Sequence, residues 1–115
     1  MDLQNFYKAI GVNYNTVLRR LRREDLIEKY LKLFLKDQTF ILLAEAKENG
    51  DYQQLFGAAH TIKGLALNLE LSPLADAASS LTEYLRNDTP KDNTIVDEKY
   101  EKLMTEYNTI RNLLQ

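Results

Sequence analysis

The chain holds one histidine, His60, inside the stretch AAHTIKGLALNL at residues 58–69. A free imidazole titrates near pH 6.5, so a large share is neutral at cellular pH and offers an unprotonated nitrogen as a nucleophile. Lys63 follows at a spacing that, on a helix, brings its ammonium to the same surface. Gly57 and Gly64 flank the histidine. Each glycine inside a helix costs about 1 kcal/mol relative to alanine, and here each leaves bare backbone over which another molecule can approach the imidazole. A nucleophile with a cation beside it and open ground around it suits acceptance of a phosphoryl group from a docked protein.

Other chemistries lack their residues. Without cysteine there are no disulfides and no thiolate metal sites. The sequence has no glycine-rich nucleotide loop, no G-x-x-x-x-G-K-[ST] and no acids spaced as a magnesium site around His60. The expected activity is therefore a phosphocarrier's, with no ATP-dependent kinase activity, no metal site and no cofactor of its own.

The 115 residues suit one domain, 1–115, large enough to bury a core unaided. A net charge of −2 and a pI near 5.4 give no general attraction to nucleic acid. The run Arg19-Arg20-Leu21-Arg22-Arg23 is followed at once by Glu24-Asp25, and it reads as a solvated helix face and loop rather than a phosphate site. No basic stretch leads into an apolar run at the N-terminus, and no apolar stretch is long enough to span a bilayer. Together with the missing cysteines this fits a cytoplasmic monomer with no membrane partner.

The elements that must position His60 all have helical period. Leu3, Phe6, Tyr7 and Ile10 mark a short first helix stopped by Gly11, and Asn15 is placed to cap a second piece through Leu21. From Leu26 the apolar residues Ile27, Tyr30, Leu31, Phe34, Leu35, Ile41, Leu42 and Ala46 suggest one long helix to about Glu48. Asn49-Gly50-Asp51 supplies a glycine stop and an aspartate cap for the helix that carries His60, from about Tyr52 to Leu69. Ser72-Pro73 reads as a cap and first-turn proline opening a helix through Arg86. After a loop from Asn87 to Asn93, a last helix begins near Thr94 with Asp97 and Glu98 in its first turn. Its stripe is Val96, Tyr100, Leu103, Tyr107, Ile110 and Leu114. The fold expected is all-α: an antiparallel up-down-up-down four-helix bundle with a short N-terminal helical cap. Each well-buried Leu or Phe contributes about 1.5–3 kcal/mol, enough across four stripes to offset chain entropy.

At about 100° per residue, Leu55, Ala58, Ala59, Ile62, Leu65, Ala66 and Leu69 fall on one side of the helix that carries His60, nearly opposite the histidine. The histidine's side carries Phe56, Gly57, Lys63, Gly64, Leu67 and Asn68. Phe56 and Leu67 form an apolar rim, for which packing against a neighbouring element is the other reading.

The segment HTIKG matches the H-x-[IL]-K-G signature, and its setting AAHTIKGLALNLELSPLADAASSL, with LIEKYLKLFLKDQTFILLAEAKENGDYQQLFGAAH upstream, resembles histidine-containing phosphotransfer (HPt) domains. The resemblance implies that His60 accepts a phosphoryl group on a ring nitrogen, that Lys63 offsets its charge and that Gly64 leaves space for an incoming receiver domain. It implies response-regulator receiver domains and a hybrid histidine kinase as partners, with Mg²⁺ carried by the receiver. Asn68 stands where the family often has asparagine, whereas Glu70 stands where many members have glycine. Some members aim a polar side chain from the next helix at the histidine, a place open here to Thr82 or Arg86. A non-catalytic bundle that docks receivers or other partners as a scaffold is the alternative, and binding of nucleic acid or anionic surfaces through Arg19 to Arg23 is a weaker one. The chain could be a domain cut from a hybrid or chemotaxis-type kinase, but its compact start and immediate stop favour a free-standing protein.

Overall fold

The computed structural model describes residues 2–115, and these are helical with no strand among them. The helices are α1 (Leu3–Ala9), α2 (Tyr14–Leu21), α3 (Glu24–Leu35), α4 (Thr39–Asn49), α5 (Tyr52–Asn68), α6 (Ser72–Leu85) and α7 (Asn93–Leu114). They form an elongated body of 44 × 21 × 19 Å. α5 packs against both α4 and α6, and α6 packs against α7. Both α5 and α6 bury alanines that permit close helix packing: Ala58, Ala59 and Ala66 on one, and Ala75, Ala77 and Ala78 on the other.

The long helix expected from Leu26 to Glu48 is two helices. The chain leaves α3 at Lys36, where the amides of Lys36 and Asp37 turn back to Leu33 and Phe34. The Asp37 carboxylate then accepts from the Thr39 amide at 2.8 Å, satisfying one of the orphan donors at the start of α4. The break resets the helical phase. Ile27, Leu31 and Phe34 face the core before it, and Phe40, Leu43 and Ala46 face the core after it. Ile41 and Leu42, assigned to the stripe by an unbroken period, are instead 53% and 44% exposed. What the break achieves is aromatic convergence. Phe34 and Phe40 meet edge to face at 5.4 Å, and Phe40 stacks on Tyr107 of α7 with centroids 3.6 Å apart.

Three helix starts also differ from expectation. Asn13, rather than Asn15, caps α2, accepting from the Asn15 amide at 2.9 Å. Leu71 occupies the cap position of α6, so Ser72 and Pro73 are already helical and no side chain caps this end. α7 begins at Asn93, capped by Asp92, which places Asp97 beyond the first turn. Asp97 instead pairs with Lys47 of α4 at 2.8 Å. The turn between α4 and α5 is as expected: Gly50 takes the left-handed conformation at φ 66°, and the Asp51 carboxylate accepts from the Gln54 amide at 3.0 Å.

The N-terminal helices close one end of the body. Tyr7 is fully buried and its hydroxyl donates to the Leu69 carbonyl at 2.7 Å, tying α1 to the end of α5. Burial pushes the Tyr7 phenol above the ordinary tyrosine range, with the nearby Tyr14 and Glu70 adding to the shift.

Candidate functional site

The two sides of α5 have separate tasks. Leu55, Ala58, Ala59, Ile62 and Ala66 are buried, and their spacing fixes the rotation of the helix about its axis. That rotation turns His60 into solvent, with Gly57 and Gly64 exposed beside it and Lys63 half-buried. A Cβ placed on either glycine would meet nothing within 4 Å beyond its chain neighbours and the backbone of its own helix turns. Both glycines keep negative φ, since the positive-φ glycines are Gly11 and Gly50. Neither internal packing nor backbone conformation therefore requires glycine at 57 or 64. The Thr61 hydroxyl donates to the Gly57 carbonyl of its own helix at 3.0 Å.

Beside the histidine lies a stack of planar groups. The half-buried Phe56 ring is parallel to the imidazole within 3°, with centroids 6.1 Å apart. Over Phe56 lies the Arg86 guanidinium, 5.4 Å from the ring centroid. Arg86 also donates from Nε and Nη2 to the two carboxylate oxygens of Glu83 at 3.1 and 2.8 Å. The hydrogen bond from Arg86 is the main cause that holds the Glu83 carboxyl below the usual carboxylate range, and the charges of Arg86, Lys63 and His60 act in the same direction. Glu83 was not among the residues singled out from sequence; its only local signal is the i, i+3 spacing to Arg86.

Of the two candidates for a polar group aimed at His60, Thr82 is excluded. It is buried, and its hydroxyl donates to the Ala78 carbonyl of its own helix at 2.7 Å. Arg86 reaches the neighbourhood through Phe56.

Leu67 is 47% exposed and Asn68 is exposed, both on the histidine's side. Asn68 accepts from Arg20 at 3.5 Å, and Arg20 pairs with Glu70 at 3.1 Å. Arg23 pairs with Asp25. Acids thus engage part of the basic run, as a solvated face requires. Glu70 has φ 56°, a left-handed conformation that costs a residue with a side chain about 1 kcal/mol and that glycine adopts freely. Leu65, assigned to the core side, is only half-buried. With Arg20, Leu21, Tyr30, Leu33 and Asn68 it lines an open groove of about 470 Å³ along α2, α3 and the end of α5.

Among the described residues no group of three or more His, Cys, Asp or Glu is arranged to hold a metal ion, and no helix is long and apolar enough to cross a membrane. No curated protein and no solved structure matches the chain. The model of the family described as the Hpt domain matches residues 20–115. Domains of this family serve histidine phosphotransfer in phosphorelays, work with receiver domains and kinases of two-component systems, and are phosphocarriers without kinase activity. Since the match runs from the last residues of α2 through α7 and includes all of the helix that presents His60, the chain belongs to the Hpt domain family.

Proposed function

We propose that His60 is the phosphoacceptor of a multistep phosphorelay, taking a phosphoryl group from the aspartate of one receiver domain and passing it to another. The observation that carries this reading is the exposed imidazole between two glycines whose outward sides meet nothing within 4 Å. In the forward step the unprotonated ring nitrogen of His60 attacks phosphorus. A nitrogen–phosphorus bond forms as the acyl oxygen–phosphorus bond breaks, and the aspartate leaves with the electron pair. The second ring nitrogen keeps its proton through the step. The onward step reverses these changes on the second receiver.

Transfer of this kind depends on positioning and charge neutralisation rather than on acids and bases from the carrier. Lys63 supplies a positive charge beside the acceptor. The receiver's own Mg²⁺ would offset charge on the transferring oxygens, so the carrier needs no cofactor. Gly57 and Gly64 admit the receiver's aspartyl phosphate, and Phe56, Leu67, Asn68 and Arg86 line the contact surface. A hybrid histidine kinase supplies the phosphoryl group through its receiver.

The protein acts as a cytoplasmic monomer, with residues 1–115 as one domain. Its long helical units run up-down-up-down, because each short connection returns the chain beside its predecessor.

Incubation with a phosphorylated receiver tests the reading. The protein should acquire an acid-labile, alkali-stable label, and His60→Gln should acquire none while keeping its helical circular dichroism. A wild-type protein that binds phosphorylated receivers but takes no label is a scaffold instead.

A further inference from the structure

The inference here rests on His60 as phosphoacceptor and concerns what sets the plane of its ring. The lone pair that attacks phosphorus lies in the plane of the imidazole, at its edge. In-line transfer therefore needs that plane to contain the line of approach, and an exposed side chain on a helix is free to leave it. A helical χ1 keeps two of its three wells and χ2 of histidine is roughly twofold, so an unrestrained imidazole divides its time among about four orientations.

Phe56 stands one turn before His60 on α5, at the spacing where helical side chains meet. Its ring is parallel to the imidazole within 3°, with centroids 6.1 Å apart. Aromatic pairs attract as offset stacks when their centroids are about 4.5–7 Å apart. A stacked neighbour restrains the plane of the imidazole without taking a hydrogen bond from either nitrogen. Phe56 is itself held from the next helix: it is half-buried, and the Arg86 guanidinium lies 5.4 Å from its centroid. α6 reaches the imidazole through this ring and not through a hydrogen bond. The Thr82 hydroxyl is directed to Ala78, and Nε and Nη2 of Arg86 to Glu83.

We propose that Phe56 is a positioning residue: its ring, held by Arg86, fixes the plane of the His60 imidazole so that the attacking nitrogen meets phosphorus edge-on. In that step the nitrogen lone pair forms the nitrogen–phosphorus bond as the acyl oxygen–phosphorus bond breaks, and the aspartate leaves with the electron pair. Phe56 forms no bond and moves no proton. It raises the fraction of encounters in which the imidazole is already aligned.

The test uses the full chain and a receiver domain charged with acetyl phosphate. Single-turnover transfer measured against receiver concentration separates the rate constant at saturation from the half-saturating concentration. Phe56→Leu keeps an apolar side chain for docking but removes the ring. Its rate constant at saturation should fall about threefold, a little under the ratio of one held orientation to about four free ones. Phe56→Tyr, which keeps the ring, should restore transfer, and Arg86→Gln should lower the same constant by less than Phe56→Leu does. In the unphosphorylated protein, NMR should show nuclear Overhauser contacts between the two rings. Three-bond couplings at His60 should report a single χ1 rotamer that becomes averaged in Phe56→Leu. A loss confined to the half-saturating concentration would make Phe56 a docking residue only, and a loss that Phe56→Tyr shares or that follows the melting temperature would make it structural. An unchanged rate constant in Phe56→Leu, or couplings already averaged in the wild type, would also overturn the positioning role, and in each of these cases His60 stands as acceptor. If the wild type takes no label, or if label persists in His60→Gln, both fail.

Discussion

The inward and outward sides of α5 follow opposite rules. Inward, every position is filled: Leu55, Ala58, Ala59, Ile62 and Ala66 are buried against the neighbouring helices. Outward, two positions are left empty, at Gly57 and Gly64, although the helix around them would be firmer with side chains there. Stability accounts for the first side and not for the second. The roughly 1 kcal/mol that each of the two glycines costs the helix has no reason inside the protein, which supports the proposed approach of a receiver from outside.

The sharpest contrast pairs one residue from each side. His60→Gln should abolish phosphoryl labelling while changing stability by no more than about 0.5 kcal/mol, the range of an exposed site. Ile62→Ala should cost about 2–5 kcal/mol, as for other buried isoleucines, yet still label in the fraction that remains folded. Denaturant melts and labelling of the same samples check both, and loss of label without loss of fold in the Ile62 variant would erase the distinction.

Next in size is Gly64→Gln. Glutamine favours the helix over glycine, so the melting temperature should not fall, whereas single-turnover transfer from a phosphorylated receiver should drop sharply because the new side chain stands where the receiver approaches. Equal transfer would mean that close approach is not the reason for glycine at 64. Lys63→Ala should then slow transfer by about tenfold without stopping it, the lower end of what one charge-assisted contact is worth. A loss as complete as that of His60→Gln would give the lysine a larger part than charge compensation. The smallest effect belongs to Gly64→Ala, which should raise stability by up to about 1 kcal/mol with only mild slowing of transfer.

These two sides of α5 were readable from sequence because nothing interrupts the helical period between Asp51 and Leu69 and because both ends carry recognisable signals. The same holds for the stripe of α7. The join between α3 and α4 was not readable. Lys36-Asp37-Gln38 contains neither glycine nor proline, and the turn is fixed by aromatic rings that meet Tyr107 from far along the chain. Once the phase slipped there, Ile41 and Leu42 were assigned inward in place of Phe40 and Leu43. Glu83 was hidden for a related reason. Its partner Arg86 rests on Phe56 only because of how α6 packs against α5, which local spacing does not encode. Thr82 had the right general position on α6, but the rotation of that helix carries its hydroxyl into the interior.

The bond from the Tyr7 hydroxyl to the Leu69 carbonyl joins a segment that precedes the family match to the end of α5, the helix that carries His60. Opening the turn after α5 strips that phenol of its acceptor, so α1 and the last turn of α5 share one cooperative opening event. In hydrogen exchange, the Leu71 amide, bonded to Ala66 at 2.9 Å, should therefore be protected as strongly as the amides that hold α1. Tyr7→Phe should loosen both together while the middle of α5, around His60, exchanges as before. The N-terminal cap thus acts as a clasp on the far end of the helix, letting the exposed ground around His60 remain bare without the turn beyond it fraying.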